Sequence, residues 1–308
     1  MLHVLYTIGP VFVIILLGWG LRAWRFLPGH LIGPLNRMVY YLAIPAMIFR
    51  EVAQASFHAH FQPVLLGGTL APVAAVFVIA LGVGFLFNIQ KKERGTFLQS
   101  SLHGNLGYIG LAVAYYFLGR EGFTRASILA AFLMLLQNLL AVLALQAFSP
   151  AEKSTHPLLF LAQKITFNPV ILSAMAGIGF SLFQISIPEP IDRMLAIISG
   201  MALPLALLVI GASLSFGLIK AHFFPALGAG FLKLLVLPGL GIGLYHWLRL
   251  SPAQFLPGLI LLASPTATIT YVMAGEMDGS TELASATVSM NTLLSAATFV
   301  FWLGIRYH

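Results

Sequence analysis

Apolar runs long enough to cross a bilayer recur along the whole chain, and that recurrence restricts the fold more than any motif does. About 20 predominantly apolar residues span the roughly 30 Å hydrocarbon core. On that ruler the sequence divides into ten spans, near 4–22, 34–52, 63–87, 96–118, 126–148, 167–187, 191–214, 223–247, 253–275 and 283–305. Water is absent from the core, so each run has to pair its backbone groups within itself, which a helix does. The chain is 59% hydrophobic and 8% charged with a mean hydropathy of +0.94, far from a soluble globular composition. The expected fold class is therefore an all-α polytopic membrane protein. Cysteine is absent, which removes disulfides and thiolate metal sites. The net charge of +7 is spread over loops; it suits an attraction for anions better than a nucleic-acid partner.

The first run, Val4 to Leu21, has no basic residue before it and Arg22 and Arg25 after it. That is the reverse of a secretory signal, so it reads as a retained span. The polar stretch Ser149 to His156, with Glu152 and Lys153, falls near the midpoint and divides the chain into halves of five spans, 1–150 and 151–308. Leu158 to Thr166, with Gln163 and Lys164 embedded, suits a short interfacial helix or an extended start to span six. An odd number of spans per half puts the halves in opposite orientations, so a repeat would be inverted. Asn36-Arg37-Met38 ahead of Pro45 is echoed by Asp192-Arg193-Met194 ahead of Pro204. With the amino terminus outside, the inner loops hold nine basic residues (Arg22, Arg25, Arg37, Lys91, Lys92, Arg94, Lys153, Lys164, Lys220) and the outer loops six (Arg50, Arg120, Arg125, Arg193, Arg249, Arg306). The positive-inside rule then puts both termini outside the cytoplasm.

Two spans are interrupted at their centres. His103 to Gly110 reads HGNLGYIG inside span four, and Ser264-Pro265-Thr266-Ala267-Thr268 interrupts span nine, in the corresponding place of the other half. Backbone freed by a break cannot face lipid, and paired breaks in corresponding spans point to a transporter's midplane site. Every one of the nine carboxylates maps to a span end or a loop. The midplane offers neutral groups instead: His103, Asn105, Ser264, Thr266 and Thr268, with Gln137 and Asn138 in span five and Ser289, Asn291 and Thr292 in span ten. A broken span presents a half-helix amino terminus that attracts negative charge. Gly104 and Gly107 would let a ligand approach the backbone, and Asn105, Thr266 and Thr268 would supply hydrogen bonds to a carboxylate. The competing reading has these side chains satisfying carbonyls freed by the glycines and by Pro265.

His103 is the group at the break whose charge can change near neutral pH, and it is a candidate carrier of a coupled proton, or else a histidine bonded to a neighbouring carbonyl. Lys233, within span eight, has no carboxylate near it in sequence. It is a candidate charge partner for a substrate, a partner for a carbonyl or carboxylate of another span, or a snorkelling side chain. Pro45, Pro204 and Pro238 read as kinks repaired by neighbouring helices, and Gly239-Leu-Gly-Ile-Gly243 as a close-packing face. Motifs of hydrolases, metalloproteases and nucleotide-binding enzymes are missing, so the expectation is a non-enzyme with no cofactor and no metal.

Gly9-Pro10 and Gly18, Leu35-Asn36-Arg37, YYLAIPAMIF (40–49), HGNLGYIGLAVAYYFLG (103–119), Asn168-Pro169, SPTATITYVMAGEM (264–277) and ASATVSMNTLLSAATF (284–299) together resemble the auxin efflux carrier family over nearly the whole chain. The match is to its bacterial branch, because the central connection is short. The resemblance implies ten transmembrane helices in two inverted five-helix repeats, with broken helices four and nine crossing at the site. It also implies a fold similar to the bile-acid sodium symporters, in which a crossover domain (spans 3–5 and 8–10) moves elevator-fashion against a scaffold of spans 1, 2, 6 and 7. Family members carry organic anions, auxin in plants and malate or malonate in bacteria. Asn105 and the Pro265 region carry over by motif; His103 does not. The sodium-coupled relatives use a carboxylate that the midplane lacks here.

The first expectation is thus a secondary transporter of small organic carboxylates in the bacterial inner membrane, in contact with lipid, with a proton or sodium as candidate coupling ion and a homodimer as candidate assembly. Its substrate-binding residues would be His103, Gly104, Asn105, Gly107, Ser264, Pro265, Thr266 and Thr268. The alternatives are a sodium-coupled symporter of larger amphipathic anions and a receptor that binds without transport.

Overall fold

The computed structural model describes residues 2–148, 167–305 and 307, and the helices named below account for most of them. The polar midpoint at 149–156 and the short helix expected over 158–166 lie outside the described residues. Among the described residues, seven helices are long and apolar enough to cross a membrane: α1 (Leu2–Ala23), α2 (Gly29–Ala53), α3 (Pro63–Leu86), α5 (Leu106–Phe148), α7 (Glu189–Ser213), α8 (Phe223–Trp247) and α11 (Thr281–Gly304). Two shorter apolar helices, α6 (Pro169–Leu182) and α9 (Pro252–Ala263), stand among them. Two further pieces, α4 (Lys91–Leu102) and α10 (Ile269–Glu276), adjoin the interruptions. No strand occurs among the described residues. Large apolar side chains such as Tyr6, Leu86, Phe87 and Phe224 are exposed on the outer surface, as a surface that faces lipid requires.

The 43 residues of α5 exceed any straight span, since at 1.5 Å per residue they would reach about 65 Å. The helix breaks at Gly119, whose φ of 70° and ψ of −166° are not helical. Glycine tolerates that φ without the clash a Cβ would bring. Beyond the break the chain doubles back: a Cβ on Gly122 would come within 2.1 Å of Leu118 Cβ. The rings of Tyr115 and Phe123 lie 5.6 Å apart, Gly107 lies against Met134, and Gly95 against Ala144. The expected spans near 96–118 and 126–148 are therefore the two arms of a hairpin.

Proline removes a backbone donor and frees the carbonyl four residues before it. The structure answers two such losses with side chains from other helices. Leu234 O, freed by Pro238, accepts from Trp302 Nε1 at 2.7 Å. Ala253 O, freed by Pro257, accepts from Arg125 at 3.3 Å. Wide turns over Val39–Ala43 and Leu232–Val236 precede Pro45 and Pro238. At Pro204 the helix is interrupted at Met201. Asn168 caps α6 by accepting from Val170 N and Ile171 N at 3.0 and 3.1 Å, with Pro169 at the first helical position.

Close packing follows small residues. A Cβ on Gly211 would sit 1.8 Å from Ile15 O and one on Gly18 2.2 Å from Leu208 O, so the backbones of α1 and α7 touch. Likewise α2 meets α6 where Gly177 faces Val52. The expected packing face Gly239–Gly243 is only partly used. Gly241 abuts Leu262, a Cβ on Gly239 would stay 3.6 Å from Trp302, and Gly243 has nothing within 4 Å. At one end of the bundle Arg50 pairs with Asp192 at 2.7 Å and with Glu51 at 3.4 Å, and Arg120 reaches Glu51 and Gln54. That network joins α2, α7 and the hairpin tip beside Gly119.

Gly211→Val forces α1 and α7 apart and should cost at least the ~1–3 kcal/mol of overpacking, whereas Gly243→Ala should leave stability unchanged; unfolding of the purified protein in detergent checks both, and equal melting temperatures for the two variants would contradict the backbone contact.

Candidate functional site

Helix α4 ends at Leu102, and His103 to Asn105 run extended before the wide turn Leu106–Gly110 opens the next helix. Helix α9 ends at Ala263, and Ser264 to Ala267 bridge to α10. The two extended pieces lie side by side and pair antiparallel, Gly104 opposite Thr266. Asn105 N donates to Pro265 O at 2.7 Å, and Ala267 N donates to His103 O at 2.9 Å. Each break thereby satisfies backbone groups that the other frees. In hydrocarbon each such group would cost several kcal/mol if left unpaired.

Side chains complete the pairing. Gln137, from the returning arm of α5, donates to Leu102 O at 3.0 Å and accepts from Gly104 N at 3.2 Å. Thr266 Oγ1 donates to Ser100 O at 2.9 Å and accepts from Asn291 Nδ2 at 2.8 Å. Ser264 Oγ donates to Leu261 O at 2.6 Å. Lys233 is fully buried and its Nζ donates to Leu262 O at 2.6 Å. An ammonium there lies against the last carbonyls of α9, where the helix dipole favours positive charge. Of the roles open to Lys233 from sequence, complete burial removes snorkelling, and the structure pairs it with a carbonyl of another span. A Cβ on Gly104 would lie 2.6 Å from Ser264 Oγ and 3.3 Å from Lys233 Cε, so glycine is the residue the crossing accepts there. Gly107 has room: a Cβ would stay 3.7 Å from Met134.

The crossing thus gathers His103, Gly104, Asn105, Ser264, Pro265 and Thr266, and it divides them by use. Ser264 and Thr266 are spent on carbonyls, as the competing reading of the sequence has it. Asn105 and His103 differ. Both are 4% exposed, and Asn105 Nδ2 and His103 Nδ1 meet no hydrogen-bond partner in the protein. Asn105 O accepts from Ile109 N and Gly110 N at 3.2 and 3.0 Å, closing the wide turn behind the side chain. Tyr108, in that turn, donates to Asn36 Oδ1 of α2 at 2.7 Å, which ties the first break to the Asn36-Arg37-Met38 stretch singled out in the sequence.

Thr268 parts from the others. It begins α10 and lines a cavity of about 350 Å3 with Arg22, Ser213, Tyr271, Ser285, Val288 and Ser289. Thr268 directly follows Ala267, whose N–H bonds His103 O, so the cavity abuts the crossing. Of its lining, the sequence pattern marks Thr268 and Ser289, while Arg22 reads there as a loop cation. The available signal was the four-residue spacing of Ser285 and Ser289, which places them on one face of α11.

A family model described as membrane transport protein matches residues 3–303. A protein of Rhizobium meliloti (strain 1021) named "Putative malonate transporter" is 30% identical, over 94% of this chain and 91% of its own length. An uncharacterized transporter of Methanothermobacter thermautotrophicus is 26% identical over 96% of each chain. Another, from Methanocaldococcus jannaschii, is 23% identical over 95% of each.

Gln137→Met keeps the bulk of the side chain while orphaning Leu102 O and Gly104 N, and is expected to cost about 1–3 kcal/mol for each; wild-type unfolding behaviour of this variant would show that the break is held by other means.

Proposed function

We propose, for a chain that belongs to the membrane transport protein family, the auxin efflux carrier family its sequence resembles, that it is a secondary transporter of small organic anions, carboxylates above all. One observation carries this: two broken helices are sewn together at Gly104 and Thr266, and the unpartnered Asn105 Nδ2 and His103 Nδ1 lie within that seam. The buried Asn105 amide donor, with no protein partner, is a group a ligand can satisfy, and a neutral donor beside a half-helix amino terminus suits a carboxylate.

The arrangement behind it is ten spans in two inverted repeats, 1–150 and 151–308. Its support is a symmetry of contacts. Exchanging span one with six and two with seven turns the contact of α1 with α7 into that of α6 with α2, and both contacts are made through glycine. The paired breaks map onto each other in the same way. Spans 1, 2, 6 and 7 form the scaffold, and spans 3–5 and 8–10 a crossover unit that moves against it to expose the site to either side. In this reading both termini lie outside the cytoplasm of a bacterial inner membrane. The Arg120 contacts with Glu51 and Gln54 bridge scaffold and crossover unit and would part in each cycle.

Malonate belongs to the name of one relative, and a three-carbon dicarboxylate is our first candidate substrate. A cavity of about 350 Å3 lies at the small end of the roughly 300–1,000 Å3 common for ligand sites. That favours small anions over the larger amphipathic anions of the symporter alternative.

Asn105→Ala should abolish uptake of labelled malonate into proteoliposomes while the melting temperature stays within a few degrees of wild type, since Nδ2 has no protein partner to lose; undiminished uptake would refute the site. Replacing sodium by potassium is expected to leave the flux unchanged, and a strict sodium requirement would favour the symporter reading.

A further inference from the structure

The cavity beside the crossing opens to the surface at the exposed Arg22, Ser213 and Tyr271, and it is lined by a cation and by no anion. Its polar lining is Arg22, Ser213, Thr268, Tyr271, Ser285 and Ser289, without a carboxylate. Arg22, from the last turn of α1, spends one N–H on Ala212 O at 2.9 Å, and no carboxylate among the described residues pairs with it. A guanidinium carries five N–H donors in a planar fork that matches a carboxylate. Ser289 Oγ accepts from Ser215 N at 2.9 Å, which leaves its own hydroxyl hydrogen to donate. Charge and donors therefore converge on a space that adjoins the crossing.

We infer that Arg22 is the charge partner of the transported anion, gripping one carboxylate in this cavity before or after the crossing takes it, and that it sets a preference for dianions over monoanions. This rests on the transport reading above and adds to it a residue outside both broken helices. Thr268, Tyr271, Ser285 and Ser289 surround the carboxylate with hydroxyl donors, and Val288 supplies an apolar wall. The same fork could grip a lipid phosphate, since arginines near span ends reach toward headgroups, and the experiment separates the two sources.

The test is thermal stabilisation of the purified protein by malonate and by its monoamide, in wild type, Arg22→Gln, Arg22→Lys, Ser285→Ala and Asn105→Ala. Each is measured in detergent and in vesicles with and without anionic lipid. In wild type malonate should stabilise at lower concentration than the monoamide. Arg22→Gln should raise the malonate concentration needed by roughly tenfold or more, the loss expected of a charge-assisted hydrogen bond, and should bring the two compounds to parity. Arg22→Lys should restore part of the preference, and Ser285→Ala should weaken both compounds without erasing it. A purely structural role for Arg22 would lower the unliganded melting temperature and leave the preference intact. That result would overturn the inference, as would a change confined to vesicles of anionic lipid. If Arg22→Gln keeps the preference while Asn105→Ala loses binding, the inference falls and the transport reading stands; if no carboxylate stabilises the wild type, both fall.

Discussion

The pairing of two extended segments across the middle of the bundle is the interaction on which the rest depends. Backbone at membrane depth has no water to fall back on, and two interrupted helices could not both persist there alone. Asn105 N on Pro265 O and Ala267 N on His103 O make each interruption the other's partner. Once that pairing is imposed, the roles of many surrounding polar residues follow from it. Gln137 holds the chain on either side of the first break, Thr266 and Asn291 link the second to α4 and α11, and Lys233 holds the end of α9. These polar groups were the costly ones to place in a membrane, and most are used within the protein. Asn105 Nδ2 and His103 Nδ1 are not, and neither are Ser100 Oγ and Asn291 Oδ1 of the residues that Thr266 meets.

Charge is sorted with the same economy. Carboxylates gather at the ends of the bundle, Glu51 and Asp192 among the arginines of one end, where water keeps the cost of ionisation low. Lys233 is buried beside the crossing and turned to a carbonyl, while Arg22, exposed at the end of α1, lines the cavity. The cavity lining thus offers a guanidinium and hydroxyls and no acid, a balance that attracts negative charge.

Much of this was legible beforehand for a physical reason. Hydrophobic runs of fixed length reflect the thickness of the bilayer, a property of the solvent and not of the fold. The apolar helices, the two breaks and Pro238 could therefore be placed without coordinates. Sequence also showed that the breaks occupy corresponding positions, but not that His103 to Asn105 and Ser264 to Ala267 form a ladder, because hydrogen bonds between residues about 160 positions apart leave no local pattern. The same holds for Arg22: at the end of a span an arginine reads as a loop cation, and only the convergence of Ser213, Tyr271 and Ser285 from other helices makes it part of a cavity. The glycines of 239–243 erred the other way, since a small-residue pattern does not say which of its members face a neighbour.

The sequence by itself determined that the chain is helical, lies in a membrane and interrupts two of its helices where interruption is expensive, because those properties follow from the transfer of single segments out of water. The tertiary structure alone decided which polar groups are spent on the fold and which remain for a ligand. That division depends on partners brought from distant parts of the chain, and hydrogen bonding is a property of the pair.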